Sequence, residues 1–430
     1  MKTLFPKQQE SHDFLIQALH QHGAALDSSH TGVGKTVIAA RVAKTLGLPV
    51  AILCPKIVIP HWERELAEVG VKPLFITNYE KIKRGNTTLK KIGKKLFQWA
   101  LPDPDTLLIF DEVHKCAGAF SQNTQMLIAA KQAGHKVLML SATACQDPTE
   151  MRGIGYALGL HALNKATAEL PGWFRWMQSF GCRQDHWKKW VPGQAWRLTP
   201  LKEQMYSSTC TKLTPRDLPT AFADNHIITE PLAFAALRDI AAFYQQHGVT
   251  PEIVTQMLDE DRKPSPHIMV EILRARQLVE AAKVPDIVDM VAEGVAEGYS
   301  VVVFVNFCDT VRVLEATLPG CEVIMGGQCA GEREAAITRF QCDSSRVMVA
   351  NVSAGGVGVS LHDVTGVHPR MSLISPTFNL KDYIQMLGRI YRAGAQSPAL
   401  QKVLVASGTI EEKVMESLER KRLCMDTLHG

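Results

Sequence analysis

A chain of 430 residues is long enough for two or three ordinary domains, and with 46% apolar and 21% charged residues it can bury a core without disulfide or metal staples. Its net charge of +4 is too small to identify a polyanionic partner, so that argument falls to local clusters. Ten cysteines without one Cys-x-x-Cys pair exclude the usual zinc and redox motifs and read as reduced thiols of an intracellular, cytoplasmic protein.

In chain order, residues 10–22 place Phe14, Leu15, Ala18 and Leu19 on one helical face. AALD at 24–27 reads as a strand, SSHTGVGKT at 28–36 as a loop, and Thr36 to near Gly47 as a helix. VAILC (50–54), LFIT (74–77), LLIF (107–110) and VLML (137–140) are apolar throughout rather than alternating. Strands buried on both faces of a helix-covered parallel sheet have this pattern. It returns after residue 295 in VVVFVNF, RVMVANV, MSLIS and KVLVA, which predicts a second α/β lobe. No run approaches the length of a membrane span, so no membrane partner is expected. Five of the seven tryptophans fall within 173–196, a stretch expected to build a small subdomain with its own core. TPRDLPTAF at 214–222 reads as the connection between lobes. Residues 232–290 read as helical with a break at DRKPSP (261–266), where proline removes a donor. The last segment has capping-box spacing, Thr409 to Glu412, and an apolar face of Ile410, Val414, Met415 and Leu418.

A phosphate-binding loop of the form G-x-x-x-x-G-K-[ST] needs small residues whose amides face the phosphates, with a helix start behind them. Gly32, Gly34, Lys35 and Thr36 meet that need, while Ser29 stands where the first glycine is usual. Lys35 would reach the β- and γ-phosphates of ATP, and Thr36 would ligate Mg2+. A plain glycine-containing turn is the alternative, and the strand ahead of the loop argues against it. LLIFDEVH sets Asp111 and Glu112 at the carboxyl end of a buried strand, where open α/β sheets bind ligands. Asp111 can hold Mg2+ through water, and Glu112 can orient and deprotonate the attacking water. QMLGRIYRAG at 385–394 puts Arg389 and Arg392 three apart, on one face of a helical turn, suited to stabilising a γ-phosphate. Alone, that spacing reads as solvated surface.

Together these segments resemble the superfamily-two DExH helicases and translocases over nearly the whole chain. Gln8 in LFPKQ looks like the adenine-reading glutamine, and SSHTGVGKT resembles motif I, in which the first position is often not glycine. CPKIVIPHWERE resembles motif Ia, ITNYE the strand after it, DEVH motif II, SAT motif III, VVVFVNF motif IV, NVSAGGVGVSLHD motif V and QMLGRIYR motif VI. The Trp62-x-x-Glu65 pair, RDLP, RARQLVEAAK and GTIEEKV are similar to segments of Swi/Snf-like double-strand DNA translocases and phage branch-migration helicases. SAT, His114 and Ser360-Leu361-His362 depart from that subgroup.

The resemblance implies two RecA-like lobes with an ATP cleft between them. It divides the chain into lobe 1 at 1–148, a Trp-rich accessory and connecting segment at 149–225, and lobe 2 with leading helices at 226–430. It assigns catalysis to Lys35, Asp111, Glu112, Gln385, Arg389 and Arg392. Nucleotide contacts fall to Gln8, Ser29, Gly32, Gly34, Lys35, Thr36 and Gly358, and coupling to His114, Ser141 and Thr143. Phosphate-backbone contacts fall to Pro55, Lys56, Thr77, Asn78, Asn306 and Ser353. A basic run at 81–95 is either a solvated face or a further phosphate contact. Most tryptophans are expected to pack, with Trp187 or Trp190 the candidate wedge against unpaired bases. The expected activity is an ATP-driven motor on duplex or branched DNA. Its alternatives are a DExH-type RNA helicase and a nucleotide-switched factor that displaces a nucleic-acid-bound protein without unwinding.

Overall fold

The computed structural model describes residues 3–85, 88–93, 96–103, 105–185, 188–233, 237–247, 254, 266–352 and 359–429. The chain forms two units, one of residues 1–218 with 423–430 and one of residues 219–422. Both are α/β units built on a parallel sheet.

In the first unit every expected apolar run is a strand: β1 (Ala24–Asp27), β2 (Val50–Cys54), β3 (Phe75–Asn78), β4 (Leu107–Asp111) and β5 (Lys136–Leu140). A two-residue strand too short to read from sequence, β6 (Cys210–Thr211), pairs with Leu26 and Asp27. The sheet order is β6-β1-β5-β4-β2-β3. β1 and β2 are buried at every residue, as runs without alternation require. Helices α1 (Pro6–His22), α2 (Lys35–Leu46), α3 (Ile59–Val69) and α4 (Gln122–Gln132) surround the sheet. α1 turns Leu15, Ala18 and Leu19 inward, while Phe14 is only half-buried.

The Trp-rich segment holds helix α5 (Trp173–Ser179), a hairpin of Arg183–Gln184 with Trp190–Val191, and helix α6 (Thr199–Tyr206). It does not build a core of its own. Trp173, Trp176, Leu201 and Met205 share one buried cluster with Leu26, Leu53, Leu108 and Met139 of the sheet. The cause is topological: α6 leads into β6, which pairs with β1, so the segment is tied back to the lobe. The division between units therefore falls at Leu218, within TPRDLPTAF, rather than at residue 149 or 226.

The second unit orders its parallel strands β7-β12-β11-β8-β10-β9, namely β7 (Asn225–Leu232), β8 (Ser300–Val305), β9 (Glu322–Ile324), β10 (Val347–Asn351), β11 (Arg370–Ile374) and β12 (Ala399–Ala406). β7 opens this unit as a strand, with helices after it. Helices α7 (Pro266–Ala282), α8 (Val284–Ala296), α9 (Cys308–Thr317), α10 (Leu380–Ile390) and α11 (Ile410–His429) follow. Val301, Val303 and Val305 of β8 pack with Ile287, Val291, Leu314, Leu373 and Leu404. Of the DRKPSP break only Pro266, which opens α7, lies within the described residues. At the start of α11 the expected capping box is shifted. The Thr409 hydroxyl donates to the Ala406 carbonyl and accepts from the Glu411 amide, while the Glu412 carboxylate accepts from the Gly408 amide. All ten cysteines are free thiols. Among the described residues, no helix is long and apolar enough to cross a membrane.

Candidate functional site

The carboxyl ends of β1, β5 and β4 are neighbours in the first sheet, so the loops leaving them lie side by side. The first is the glycine loop. Gly34 has φ +94, a strained setting for any residue with a Cβ, and a Cβ there would stand 2.7 Å from Nε2 of Gln8, which would have to shift. Gln8 itself is buried; its amide donates to the Val33 carbonyl at 2.8 Å and accepts from the Phe5 amide at 3.0 Å, bracing α1 on the loop. Ser29 does what glycine could not: its hydroxyl accepts from the Leu213 amide at 2.8 Å and ties the loop to the segment after β6.

Lys35 opens α2 and folds back, its ammonium donating to the Ser29 carbonyl at 2.7 Å and the His30 carbonyl at 2.9 Å. Thr36 follows it, half-buried, in the same first turn. No side chain caps the start of α2. A helix start without a cap, glycine backbone at Gly32 and Gly34, and a lysine resting on loop carbonyls form a donor set that fits a polyphosphate. Beneath it lies a residue that sequence reading passed over. Asp27 is fully buried, accepts from the Ser29 amide at 2.9 Å and leaves Oδ2 without a partner. Burial raises its pKa, while Lys35 pulls the other way.

Asp111 ends β4. Its Oδ2 accepts from the indole N–H of Trp62 at 2.8 Å, Oδ1 accepts from the Glu112 amide at 2.9 Å, and its carbonyl accepts from the Tyr79 hydroxyl at 2.7 Å. Burial, and after it the Glu112 carboxylate, push the Asp111 pKa up to about 7; Trp62 and Lys35 oppose the rise. This gives the Trp62-x-x-Glu65 pair a physical role, because Trp62 is the fully buried donor that orients the acid. Glu112 is held at φ +52, a strained setting for a residue with a side chain. Its carboxylate lies 3.1 Å from Nδ1 of His114, and the Ser141 hydroxyl reaches it at 3.4 Å. Ser141 also contacts His114 at 3.1 Å and accepts from the Thr143 amide at 3.2 Å. The predicted coupling residues His114, Ser141 and Thr143 are thus gathered around the predicted base.

A buried chain of hydrogen bonds runs from the same loop. The Ser28 hydroxyl lies 2.5 Å from the Tyr206 hydroxyl, which lies 2.7 Å from Nδ1 of His429. Nε2 of His429 lies 2.9 Å from the Cys145 carbonyl, just past Ser141–Thr143. A carbonyl only accepts, so Nε2 carries the proton and Nδ1 accepts from Tyr206, while the Ser28 proton is shared between the Tyr206 oxygen and the Thr211 carbonyl at 3.1 Å. Burial lowers the His429 pKa to about 4, which keeps the ring neutral.

Other expected contacts fare differently. Pro55 is buried, Lys56 is exposed, and Thr77 and Asn78 are half-buried at the end of β3. The Asn78 side chain accepts from the Lys81 amide at 2.8 Å. In the second unit, the Asn306 amide group donates to Glu280 at 2.8 Å and to the Pro376 carbonyl at 2.9 Å, so its donors serve the lobe itself. Ser353, Gly358 and Trp187 lie outside the described residues. Gln385 and Arg389 are buried on α10, with Arg389 donating to the Val359 carbonyl at 3.1 Å. Arg392 does not share their helical face. α10 stops at Ile390 because Tyr391 turns extended, and Arg392 bends back to the Gly388 carbonyl and the Ser360 hydroxyl, each at 2.9 Å. Trp190 is half-buried with its ring stacked on Phe174, centroids 5.6 Å apart, so packing occupies the candidate wedge.

Residues 1–146 match the family described as type III restriction enzyme, res subunit, and residues 282–394 match the helicase conserved C-terminal domain. A protein of Acanthamoeba polyphaga mimivirus, described as a candidate ATP-dependent RNA helicase, is 31% identical over 97% of this chain and 82% of its own length. Shorter stretches, 32% and 29% of this chain, are 26% identical to the chromatin remodeling factor mit1 and 28% identical to the DNA repair protein rad8, both of Schizosaccharomyces pombe. The chain covers only 10% and 11% of those two proteins. Among solved structures, the Sulfolobus solfataricus SWI2/SNF2 ATPase core in complex with dsDNA aligns over 98% of this chain and 92% of that chain, with 16% identity and a TM-score of 0.40.

Proposed function

The chain belongs to the superfamily-two helicases, and from that premise we propose that it is a Swi/Snf-like translocase that tracks on the phosphate backbone of duplex DNA and remodels forks, junctions and D-loops. As a member of that family it is an ATP-dependent enzyme. The observation that carries the reading is the gathering of Lys35, Asp111, Glu112 and Ser141 at three adjacent strand ends.

When bound, ATP would supply the γ-phosphoryl group whose transfer to water, giving ADP and phosphate, drives the cycle, and Mg2+ would offset its charge. In this proposal the loop amides and Lys35 hold the phosphates, and Thr36 and Asp111 hold the metal. Glu112 takes the proton from water, and His114 and Ser141 hold its carboxylate in place. Gln8 meets the base, and Arg389 and Arg392 speed hydrolysis. Lys56, Thr77 and Asn78, just past the ends of β2 and β3, would meet phosphates without reading sequence. An intracellular, cytoplasmic setting belongs to the same proposal.

DNA is favoured by the local similarity to a DNA repair protein and a chromatin remodeling factor. The second reading, an RNA helicase, is favoured by the description of the mimivirus relative that matches nearly end to end. Steady-state ATPase with no nucleic acid, single strands, duplex DNA, a fork, a four-way junction and RNA separates them, with Lys35→Ala as control. Strongest stimulation by fork and junction supports the proposal; stimulation by RNA alone replaces it with the second reading. Hydrolysis that no nucleic acid stimulates sinks both.

A further inference from the structure

Between residues 172 and 206 lie six lysines and arginines against two acids, an excess as large as the net charge of the whole chain, +4. Part of this charge surrounds a hollow of about 420 Å³ lined by Gly181, Arg183, Pro192, Gly193, Gln194 and Arg197. Two of its lining residues are glycines. A Cβ on Gly193 would stand 2.3 Å from the Phe180 carbonyl oxygen, so the chain there tolerates no side chain. At its edge stands Trp196, which is 64% exposed while the other tryptophans of the described residues are buried or half-buried. That indole is nonetheless held: its N–H donates to Oε1 of Gln194 at 2.6 Å, and the Arg197 guanidinium lies over the ring, 4.9 Å from its centroid. Neither Arg183 nor Arg197 forms an ion pair among the described residues.

An exposed indole fixed at its N–H and flanked by a cation is a rigid platform that needs little further ordering to stack on a ligand. A bare anion would need the arginines but not the indole. A base with its phosphate needs both, since stacking accepts any base and arginines follow the backbone.

We propose that Trp196, Arg183 and Arg197 form a binding site for an unpaired nucleotide strand, with the indole stacking on a base and the two guanidinium groups meeting its phosphates. The site rests on the nucleic-acid reading above and deepens it, placing single-strand contact at a turn that no helicase motif reaches.

The test is fluorescence anisotropy of the full chain with a labelled fork bearing single-stranded arms and with a blunt duplex of the same paired length. Trp196→Ala should weaken fork binding about tenfold, and Trp196→Phe should restore most of it. Arg183→Gln and Arg197→Gln should each lower the salt dependence of fork binding by about one ion. Blunt-duplex affinity should shift far less in every variant. Trp196→Ala that binds the fork like wild type overturns the site, as does an equal loss on fork and duplex. If the unmodified chain binds neither probe nor RNA, the nucleic-acid reading itself falls, an outcome distinct from either of these.

Discussion

The hydroxyl of Tyr206 stands 2.7 Å from Nδ1 of His429, and 223 positions separate the two residues in the chain. Tyr206 is thereby a link between Ser28, at the glycine loop, and the Cys145 carbonyl beyond Ser141–Thr143. Removing the link leaves buried Nδ1 of His429 without a donor, while the Ser28 hydroxyl keeps the Thr211 carbonyl at 3.1 Å. Tyr206→Phe is expected to lower stability by about 1–3 kcal/mol. Denaturant titration of wild type and variant checks this, and an unchanged midpoint would contradict the bonding scheme.

The same histidine sets a pH dependence. Its folded pKa of about 4 lies below the ordinary 6.5, so its contribution to stability is full above 6.5 and lost as pH falls toward 4. His30 and His362 are also lowered to about 4 by burial and nearby cations, and add in the same direction. By pH 5 the His429 share is on the order of 2 kcal/mol. His429→Asn should be less stable than wild type at pH 7.5 yet lose less on acidification to pH 5. Parallel pH–stability curves for the two proteins would refute the assignment.

Trp62 is expected to matter to hydrolysis without touching nucleotide. Trp62→Phe keeps an aromatic ring, though a smaller one, and deletes the N–H that faces Oδ2 of Asp111. The carboxylate then loses a stabilising donor and its pKa rises further, so the proton competes with metal at higher pH. ATPase should fall several-fold at pH 7, recover in part at pH 8.5, and require more Mg2+ for half-maximal rate. A variant with the wild-type pH profile and Mg2+ requirement would show that the bond is only structural.

Glu112 pairs strain with function. At φ +52 it occupies a setting that costs about 1 kcal/mol for a residue with a Cβ. Glu112→Gly should melt no lower than wild type although it removes the carboxylate beside His114 and Ser141. Its ATPase should fall by at least about a hundredfold, in line with loss of a general base. A variant that is both inactive and strongly destabilised would mean the αL backbone is not the source of the strain.

Gly34→Ala tests the loop from the other side. The new methyl would meet Nε2 of Gln8 at 2.7 Å and hold φ +94 at a cost. Nucleotide affinity, read by a fluorescent ATP analogue, should drop at least about tenfold, and adding Gln8→Ala should not restore it, because the backbone strain persists and the contact of Gln8 with the base is lost as well. Full recovery would assign the defect to the clash alone.

What was legible in the sequence followed from local physics. Strands buried on both faces must be apolar at successive positions, and β1, β2, β4 and β5 lie within a residue of the runs that predicted them. The loop could be read because Gly32, Gly34 and Lys35 have a fixed spacing before a helix. Contacts made across the fold left no such trace. Trp62 and Asp111 are 49 positions apart, Ser28 and Tyr206 178, and no periodicity links either pair. Arg392 was misplaced because the helical spacing of two arginines carries no sign of the extended Tyr391 between them. Tryptophans mostly bury, and Trp62, Trp99, Trp173 and Trp176 do so here. Among the described residues the exposed one is Trp196, set by the turn before α6, which composition does not encode.

The first unit is made of two stretches of chain, and the later one, residues 423–430, comes from the end of α11. During synthesis the two cannot meet until the whole of residues 219–422 has left the ribosome. Until then Tyr206 and the Cys145 carbonyl lack His429, and the core lacks Leu428, which is fully buried in it. The nascent first lobe must therefore wait in an incompletely packed form, so completion of the packing behind its glycine loop is tied to the birth of the second lobe.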